Sequence, residues 1–174
     1  IMGLSEAEIC KISVNCFLTT KISFANTVGD IVLKAGGNPQ RVLNAVGADS
    51  RIGKKYLRWG HGFGGPCLPR DNRALSFYAN EVGIQNKVGI ASDEINVDHL
   101  ERLVDYVKEM NRNKKPVFLN GVVYKKNTTI LEESQQLELA KLCAKAGMYV
   151  ILHDSEVVLN AVEKMYGEKF EYRY

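Results

Sequence analysis

Cysteine, proline and tryptophan are all scarce in this chain, which has four, four and one of them in 174 residues. Cys10, Cys16, Cys67 and Cys143 are scattered, with no CxxC pair and no zinc-like spacing. The pattern therefore points to neither a disulfide framework nor a metal centre. No stretch approaches eighteen consecutive apolar residues, which excludes a membrane-spanning helix. Charge of one sign is missing too: 23 Lys and Arg stand against 20 Asp and Glu. With no long basic run, neither nucleic acid nor a membrane surface is expected as a partner. The first residues, Ile1 to Glu6, lack the basic and apolar blocks of a leader peptide. Free thiols and no leader give the expectation of a cytoplasmic location. An Ile placed before Met reads as a cut end, so the chain is expected to be a piece of something longer.

What is present is organised in two textures. From Glu6 to about Ala35, Ile9, Ile12, Cys16, Ile22, Phe24, Val28, Ile31 and Val32 recur mostly at spacings of three and four. That is one helix of about 45 Å. Its apolar face is longer than so short a chain can cover, so a second copy is expected against it. Asn38-Pro39 opens a short helix through Val46. Ser50 to Leu57 reads as a basic helical stretch, Gly60 to Asp71 as a loop, and Asn72 to Val82 as a helix ended by Gly83. A long helix follows from about Val88 to Met110, with Ile90, Ile95, Val97, Leu100, Leu103, Val104 and Val107 along one side. Beyond the polar linker at 111–116 the chain changes to strand (117–124), helix (133–146) and strand (148–152), a parallel βαβ unit. Two parallel strands do not make a stable sheet, so this part is expected to be truncated or completed by a partner. The fold class is a mainly α domain, residues 1–112, followed by a partial, Rossmann-like α/β domain, residues 113–174.

The chemistry concentrates in Gly60-His61-Gly62-Phe63-Gly64-Gly65-Pro66-Cys67-Leu68-Pro69-Arg70-Asp71. Four glycines in six residues allow a close backbone approach to a ligand, and two prolines stiffen the stretch around one thiol. A thiol beside a cation fits an activated nucleophile. A small buried side chain in a tight turn fits Cys67 as well. Gly60, Gly62 and Gly65 match GxGxxG, but no strand precedes them, which rejects a dinucleotide fingerprint here. A Cys67–His61 hydrolase has no supporting motif, and His61 is expected to be an exposed loop residue. Lys11 and Asn15 lie four apart and share a helix face. They are either a donor pair able to stabilise an oxyanion or ordinary surface residues. Asp71 is either a proton-handling carboxylate or the cap of a helix starting at Asn72.

At Gly62 to Asp71 the sequence resembles the UDP-glucose/GDP-mannose dehydrogenase family, whose members carry Gly-Phe-Gly-Gly-x-Cys-x-x-Lys/Arg-Asp. Ala7 to Asn15 resembles the family's AE-x-x-K-x-x-x-N helix start, continued by Lys21 to Asn26. Arg51-Ile52-Gly53 and Gly121-Val122-Val123-Tyr124-Lys125 also stand at family positions. The resemblance implies a twofold oxidation of a nucleotide-sugar C6 alcohol to a carboxylate at the expense of two NAD, UDP-glucose being the best-matched substrate and GDP-mannose staying open. It implies Cys67 as the nucleophile that forms a thiohemiacetal and then a thioester, with Lys11, Asn15 and Asp71 as its catalytic neighbours. Arg51, donated by the neighbouring subunit of a homodimer, would contact the nucleotide-sugar together with Tyr56, Arg58, Phe63, Gly64, Tyr124 and Lys125. Cys67 and Arg70 would border NAD.

The sequence departs from the family at Asp154-Ser155, where members carry Asp-Pro, and in one longer run. Where members continue Lys-x-Asp-Thr-x-Asp-x-Arg-Glu-Ser, this chain has Lys125 to Ser134 with Glu132 in place of the Arg. A carboxylate there would repel a pyrophosphate. No NAD fingerprint is present, so this chain alone is not expected to reduce NAD. The alternative function is a dimerisation and ligand-binding module without catalysis, or a decayed relative of the family.

Overall fold

A computed structural model describes residues 1–174, which form two compact units, Ile1–His99 and Leu100–Tyr174. The first begins with α1, Leu4–Lys34. No proline interrupts it, and Glu6 Oε2 accepts the Gly3 N–H at 2.6 Å. It ends where Gly36 turns left-handed at φ 75°, and the Gly37 N–H returns to the Val32 carbonyl at 2.8 Å. α2, Pro39–Val46, is capped by Asn38, whose Oδ1 accepts the Arg41 N–H at 3.1 Å. α3 spans Leu68–Glu81 and α4 spans Lys87–Met110, running through the boundary between the units.

The buried side of α1 is built from small and polar residues: Cys16, Thr19, Ser23, Ala25, Asn26 and Gly29. Such side chains let neighbouring backbones come close, and Ser23 Oγ donates to the Ser92 carbonyl of α4 at 2.9 Å. The apolar cluster of this unit is Ala25, Leu43 and Leu57, with Val28, Val46 and Trp59 packed against it.

The structure corrects several sequence expectations. Residues 50–57 are turns rather than a helix, since the Ile52 and Gly53 N–H groups share the Asp49 carbonyl and Gly53 and Tyr56 take φ values of 73° and 61°. α3 starts at Leu68 instead of Asn72, because Pro69 fits the first helical turn, where its missing N–H costs nothing. Asp71 is therefore inside the helix and is not its cap. Val97 is exposed. The buried line of α4's early turns is Gly89, Ser92 and His99, with Asn96 half-buried between them. Polar groups take that line because they bond to what faces them.

In the second unit β1, Val117–Asn120, α5, Gln135–Lys145, and β2, Val150–His153, form the expected parallel unit. β1 stops at Asn120 because Gly121 turns to φ 92° and the Val122 N–H is taken by Asp154 Oδ2 at 2.8 Å. The sheet does not end with two strands. α6, Glu156–Tyr166, leads to β3, Glu171–Arg173, which pairs parallel to β2 and gives the order β1-β2-β3. β2 is thus central, and Val150, Ile151 and Leu152 are buried with Leu137, Ala140, Cys143, Val158, Leu159 and Val162.

Candidate active site: a thiol above a bonded carboxylate

Cys67 occupies the N-cap of α3 and is exposed. Its carbonyl accepts the Asp71 N–H at 2.9 Å, so the two residues sit one helical turn apart on the same face. Asp71 is buried, and α1 brings two donors to it. Lys11 Nζ lies 2.5 Å and Asn15 Nδ2 2.7 Å from the same oxygen, Oδ2. The other oxygen, Oδ1, receives Arg70 Nε and Nη2, both at 3.1 Å. Burial alone would raise the Asp71 pKa. The hydrogen bonds from Lys11, Asn15 and Arg70, with the Lys11 charge, outweigh burial and hold it below the ordinary carboxylate range. Asp71 is therefore an ionised anchor at neutral pH, and two cations more than balance it. The i, i+4 spacing of Lys11 and Asn15 converges on one point, as the sequence predicts.

The glycine loop is fixed by its backbone. The Gly60 N–H donates to Asn26 Oδ1 at 3.0 Å, and the Gly60 carbonyl lies 2.6 Å from His99 Nε2. Asn96 grips Phe63 from both sides, accepting its N–H and donating to its carbonyl, each at 2.9 Å. Phe63 is buried, so its side chain anchors the loop and is not presented outward. Gly65, at φ 78°, makes the turn into Pro66 that no β-branched residue would tolerate. Asn72 docks α3, donating to the Gly89 carbonyl at 2.8 Å and accepting from Thr19 Oγ1 at 3.1 Å.

The other residues singled out in the sequence fall into separate groups. Arg51 is exposed and forks onto Asp49, with Nε–Oδ1 at 3.0 Å and Nη2–Oδ2 at 2.6 Å. Tyr56 and Arg58 are exposed, Gly64 is half-buried, and His61 is exposed as expected. Tyr124 and Lys125 belong to the second unit, where the Tyr124 N–H closes a loop onto the Ile130 carbonyl at 3.1 Å. Sequence reading assigned no role to Asn26, Asp30, Asn72, Asn96 or His99. The polar run at 89, 92, 96 and 99, with spacings of three, four and three, was the available signal for the last two.

The four thiols divide into an accessible pair and a buried pair. Cys10 is exposed along with Cys67, because the first turns of α1 have no cover within the chain, whereas Cys16 and Cys143 are buried. Burial, then Asp71 and Asp93, push the Cys16 pKa up to about 11. Relative to the ordinary value of 9.0, its thiolate fraction at mild pH is lower by about a hundredfold. Iodoacetamide on the native chain, diluted until it is monomeric, is expected to add two adducts, at Cys10 and Cys67, and four only after unfolding. Mass spectrometry of the peptides reads the result, and native labelling at Cys16 would contradict the packing described.

No cluster of three or more His, Cys, Asp or Glu side chains able to hold a metal is present, and no helix is long and apolar enough to cross a membrane.

Comparison with known proteins bears on the family of the chain. Residues 5–98 match the model of the UDP-glucose/GDP-mannose dehydrogenase family, central domain. The UDP-glucose 6-dehydrogenase TuaD of Bacillus subtilis is 33% identical over 172 residues, which is 98% of this chain and 37% of that protein. The GDP-mannose 6-dehydrogenase of Azotobacter vinelandii is 33% identical over 157 residues, 89% of this chain and 36% of that protein. Among solved structures, a UDP-glucose dehydrogenase from Pyrobaculum islandicum superposes with a TM-score of 0.84 at 32% identity, covering 97% of this chain and 39% of that one. The chain thus spans less than two fifths of the length of these relatives. With the family match running through the helices that carry Lys11, Asn15, Cys67 and Asp71, the chain belongs to the UDP-glucose/GDP-mannose dehydrogenase family.

Proposed function

We propose that this chain is the thiol-bearing part of an NAD-dependent nucleotide-sugar 6-dehydrogenase that converts UDP-glucose to UDP-glucuronate in the cytoplasm. The observation that carries the reading is the convergence of Lys11, Asn15 and Arg70 on Asp71, one helical turn from the exposed Cys67. Its relatives named for UDP-glucose and GDP-mannose oxidation support the reaction class.

The residues fit only the edge of an NAD site. Cys67 and the exposed Arg70 side chain lie on the first turn of α3 and are the groups this chain offers to the cofactor. Fourteen residues separate the end of β1 from the start of α5, whereas a dinucleotide cradle needs a tight glycine turn directly into the helix. NAD, when bound, supplies the hydride acceptor for both oxidations. The chain's own residues do the rest. The Cys67 thiolate adds to the C6 aldehyde, forming a C–S bond as the C=O π pair moves onto oxygen to give an alkoxide. Lys11 has three N–H donors and Asn15 two, so each keeps a donor for the substrate oxygen while bonded to Asp71. After hydride loss leaves a thioester, water attacks its carbon, the C–S bond breaks, and the thiol and carboxylate are released. Asp71 is the carboxylate we assign to orienting that water.

Arg58 and the segment up to Gly64 are assigned to the sugar nucleotide, as are Tyr56, Tyr124 and Lys125. Arg51 reaches it from the other subunit of a homodimer. Incubating the full-length protein with NAD and, separately, UDP-glucose, GDP-mannose and UDP-N-acetylhexosamines tests the reading. NADH is expected with UDP-glucose at two per sugar oxidised. Tight binding without NADH formation in any of them would favour the non-catalytic module.

The dimer rests on α1. Phe17, Phe24 and Ile31 are 66, 50 and 64% exposed and stand seven residues apart, in line with the exposed Cys10. A heptad stripe of large apolar groups is what a second helix covers. Sedimentation of the chain is expected to give twice the monomer mass. The pair Phe17→Asp and Phe24→Asp is expected to weaken association by about tenfold or more, and Cys10 labelling should then become independent of protein concentration.

A further inference from the structure

We propose that the second unit carries an anion site of its own, a basic pocket at the amino ends of β1 and β2 that takes the phosphates of a small diphosphate-bearing molecule. It shares no residue with the thiol site or with the groups assigned above to the nucleotide-sugar. The pocket has a volume of about 510 Å³ and lies wholly within the second unit. One wall is the last turn of α4 and the turn after it, which bring Lys108, Arg112, Lys114 and Lys115. The other is the turn between α5 and β2, which brings the exposed Tyr149. The Val117 N–H donates to the Tyr149 carbonyl at 2.8 Å and ties the two walls together. No Asp or Glu lines the pocket.

The turn is built to hold its cations in place. Asn111 clasps the Lys115 backbone from both sides, accepting its N–H at 2.9 Å and donating to its carbonyl at 2.7 Å. The Lys114 N–H donates to the Asn111 carbonyl at 3.0 Å, and Lys114 takes a φ of 50°. That left-handed position suits glycine or asparagine better than lysine. The backbone gives no reason for a lysine there, whereas the charge does. The Arg112, Lys114 and Lys115 side chains are exposed, and none meets a carboxylate. Glu171, which accepts the Tyr149 hydroxyl at 2.5 Å, is already matched by Arg173 Nε at 2.6 Å.

Cations near a helix C-terminus are ordinarily accounted for by the helix dipole, and here that falls short. α4 ends at Met110 and α5 at Lys145, each contributing about half a negative charge. Asp105 offsets one charge more through Lys108, at 3.3 Å. Four cations against these leave an excess of about two positive charges, the complement of a phosphate group's own charge. The location is distinctive as well. Ligands of parallel sheets ordinarily gather at the carboxyl ends of the strands, where β1 leads into Gly121, Tyr124 and Lys125. The basic pocket is one strand length away from them, about 13 Å.

Pyrophosphate titrated into the chain and followed by amide NMR tests the site. At low salt, saturable shifts are expected at 108–116 and 146–149, with a Kd on the order of 0.1–1 mM. Raising the ionic strength from about 0.02 M to about 0.5 M is expected to weaken binding by roughly tenfold. The pair Lys114→Gly and Lys115→Gln is expected to weaken it by roughly tenfold too. Its melting temperature should not fall, because glycine relieves the backbone at 114. Lys126→Gln with Lys164→Gln removes the same net charge from exposed positions of the same unit outside the pocket and is expected to change the Kd by less than about twofold. ADP is the second probe. Equal affinity assigns the pocket to the diphosphate alone, and tighter binding that is lost in Tyr149→Leu adds a stacked base. Shifts confined to 51–70 and 124–125, no saturable binding by about 10 mM, or equal weakening by the two charge-removing pairs would overturn the proposal.

Discussion

Cys67→Ser in the full-length protein is expected to lower acid formation by roughly a thousandfold or more while leaving UDP-glucose binding nearly intact. The side chain is exposed at the first turn of α3 and is not part of the apolar cluster, so the substitution removes chemistry rather than packing. A serine hydroxyl is far harder to ionise at neutral pH than a thiol, and an oxygen ester differs from a thioester in how it hydrolyses. The Lys11–Asn15–Asp71 cluster is bonded independently of the sulfur, so it and the fold survive. Calorimetry of substrate binding beside NADH formation separates the two effects. Full acid production by the serine variant would return Cys67 to a conformational role in the turn between Pro66 and Pro69.

Gly29→Ala is expected to destabilise the first unit by about 2–4 kcal/mol. Two effects oppose each other here. Replacing a mid-helix glycine by alanine normally stabilises by up to about 1 kcal/mol. Against that, an added Cβ at residue 29 falls within the Trp59 side chain, against Cδ1, Cγ and Cβ. The indole cannot yield cheaply, because its N–H is bonded to Asp30 and its ring packs on the Ala25–Leu43–Leu57 cluster. The steric effect wins. A drop in melting temperature of roughly 5–15 °C is the expected reading, and a rise would show that Trp59 is not held as described. Gly36→Ala provides a control of different origin: its φ is 75° with open space around it, so its cost comes from the backbone alone.

Much of this arrangement was readable from local rules. α1, α2 and α4 follow from apolar spacing and from Asn38-Pro39, and the pairing of Lys11 with Asn15 follows from the pitch of a helix. The errors also have local causes. Residues 50–57 carry a helical composition, but Gly53 and Tyr56 adopt left-handed backbone angles that no α-helix contains. α3 begins four residues earlier than expected because Pro69 was read as a loop residue when it is a first-turn residue. β3 is only three residues long, EYR, and no periodicity shows in so few. The deeper gap concerns polar residues with their backs to solvent. Asn96 and His99 look like the wet side of an amphipathic helix until the loop that bonds to them is in place. Their partners are separated from them by 33 and 39 residues, a distance that no pattern within a window can see.

α1 carries Lys11 and Asn15 near its start and Asn26 and Asp30 toward its end, all on one unbroken helix. It therefore acts as a ruler with an angular scale. Deleting a single residue between 15 and 26 would shift the far marks by about 1.5 Å and rotate them by about 100° relative to the near ones. Asn15 could then face Asp71, or Asn26 could face Gly60, but not both. Loops elsewhere in the chain can gain or lose residues and heal locally. This segment has no local repair, so its length is a fixed quantity for any relative that keeps both the donor pair and the loop anchors.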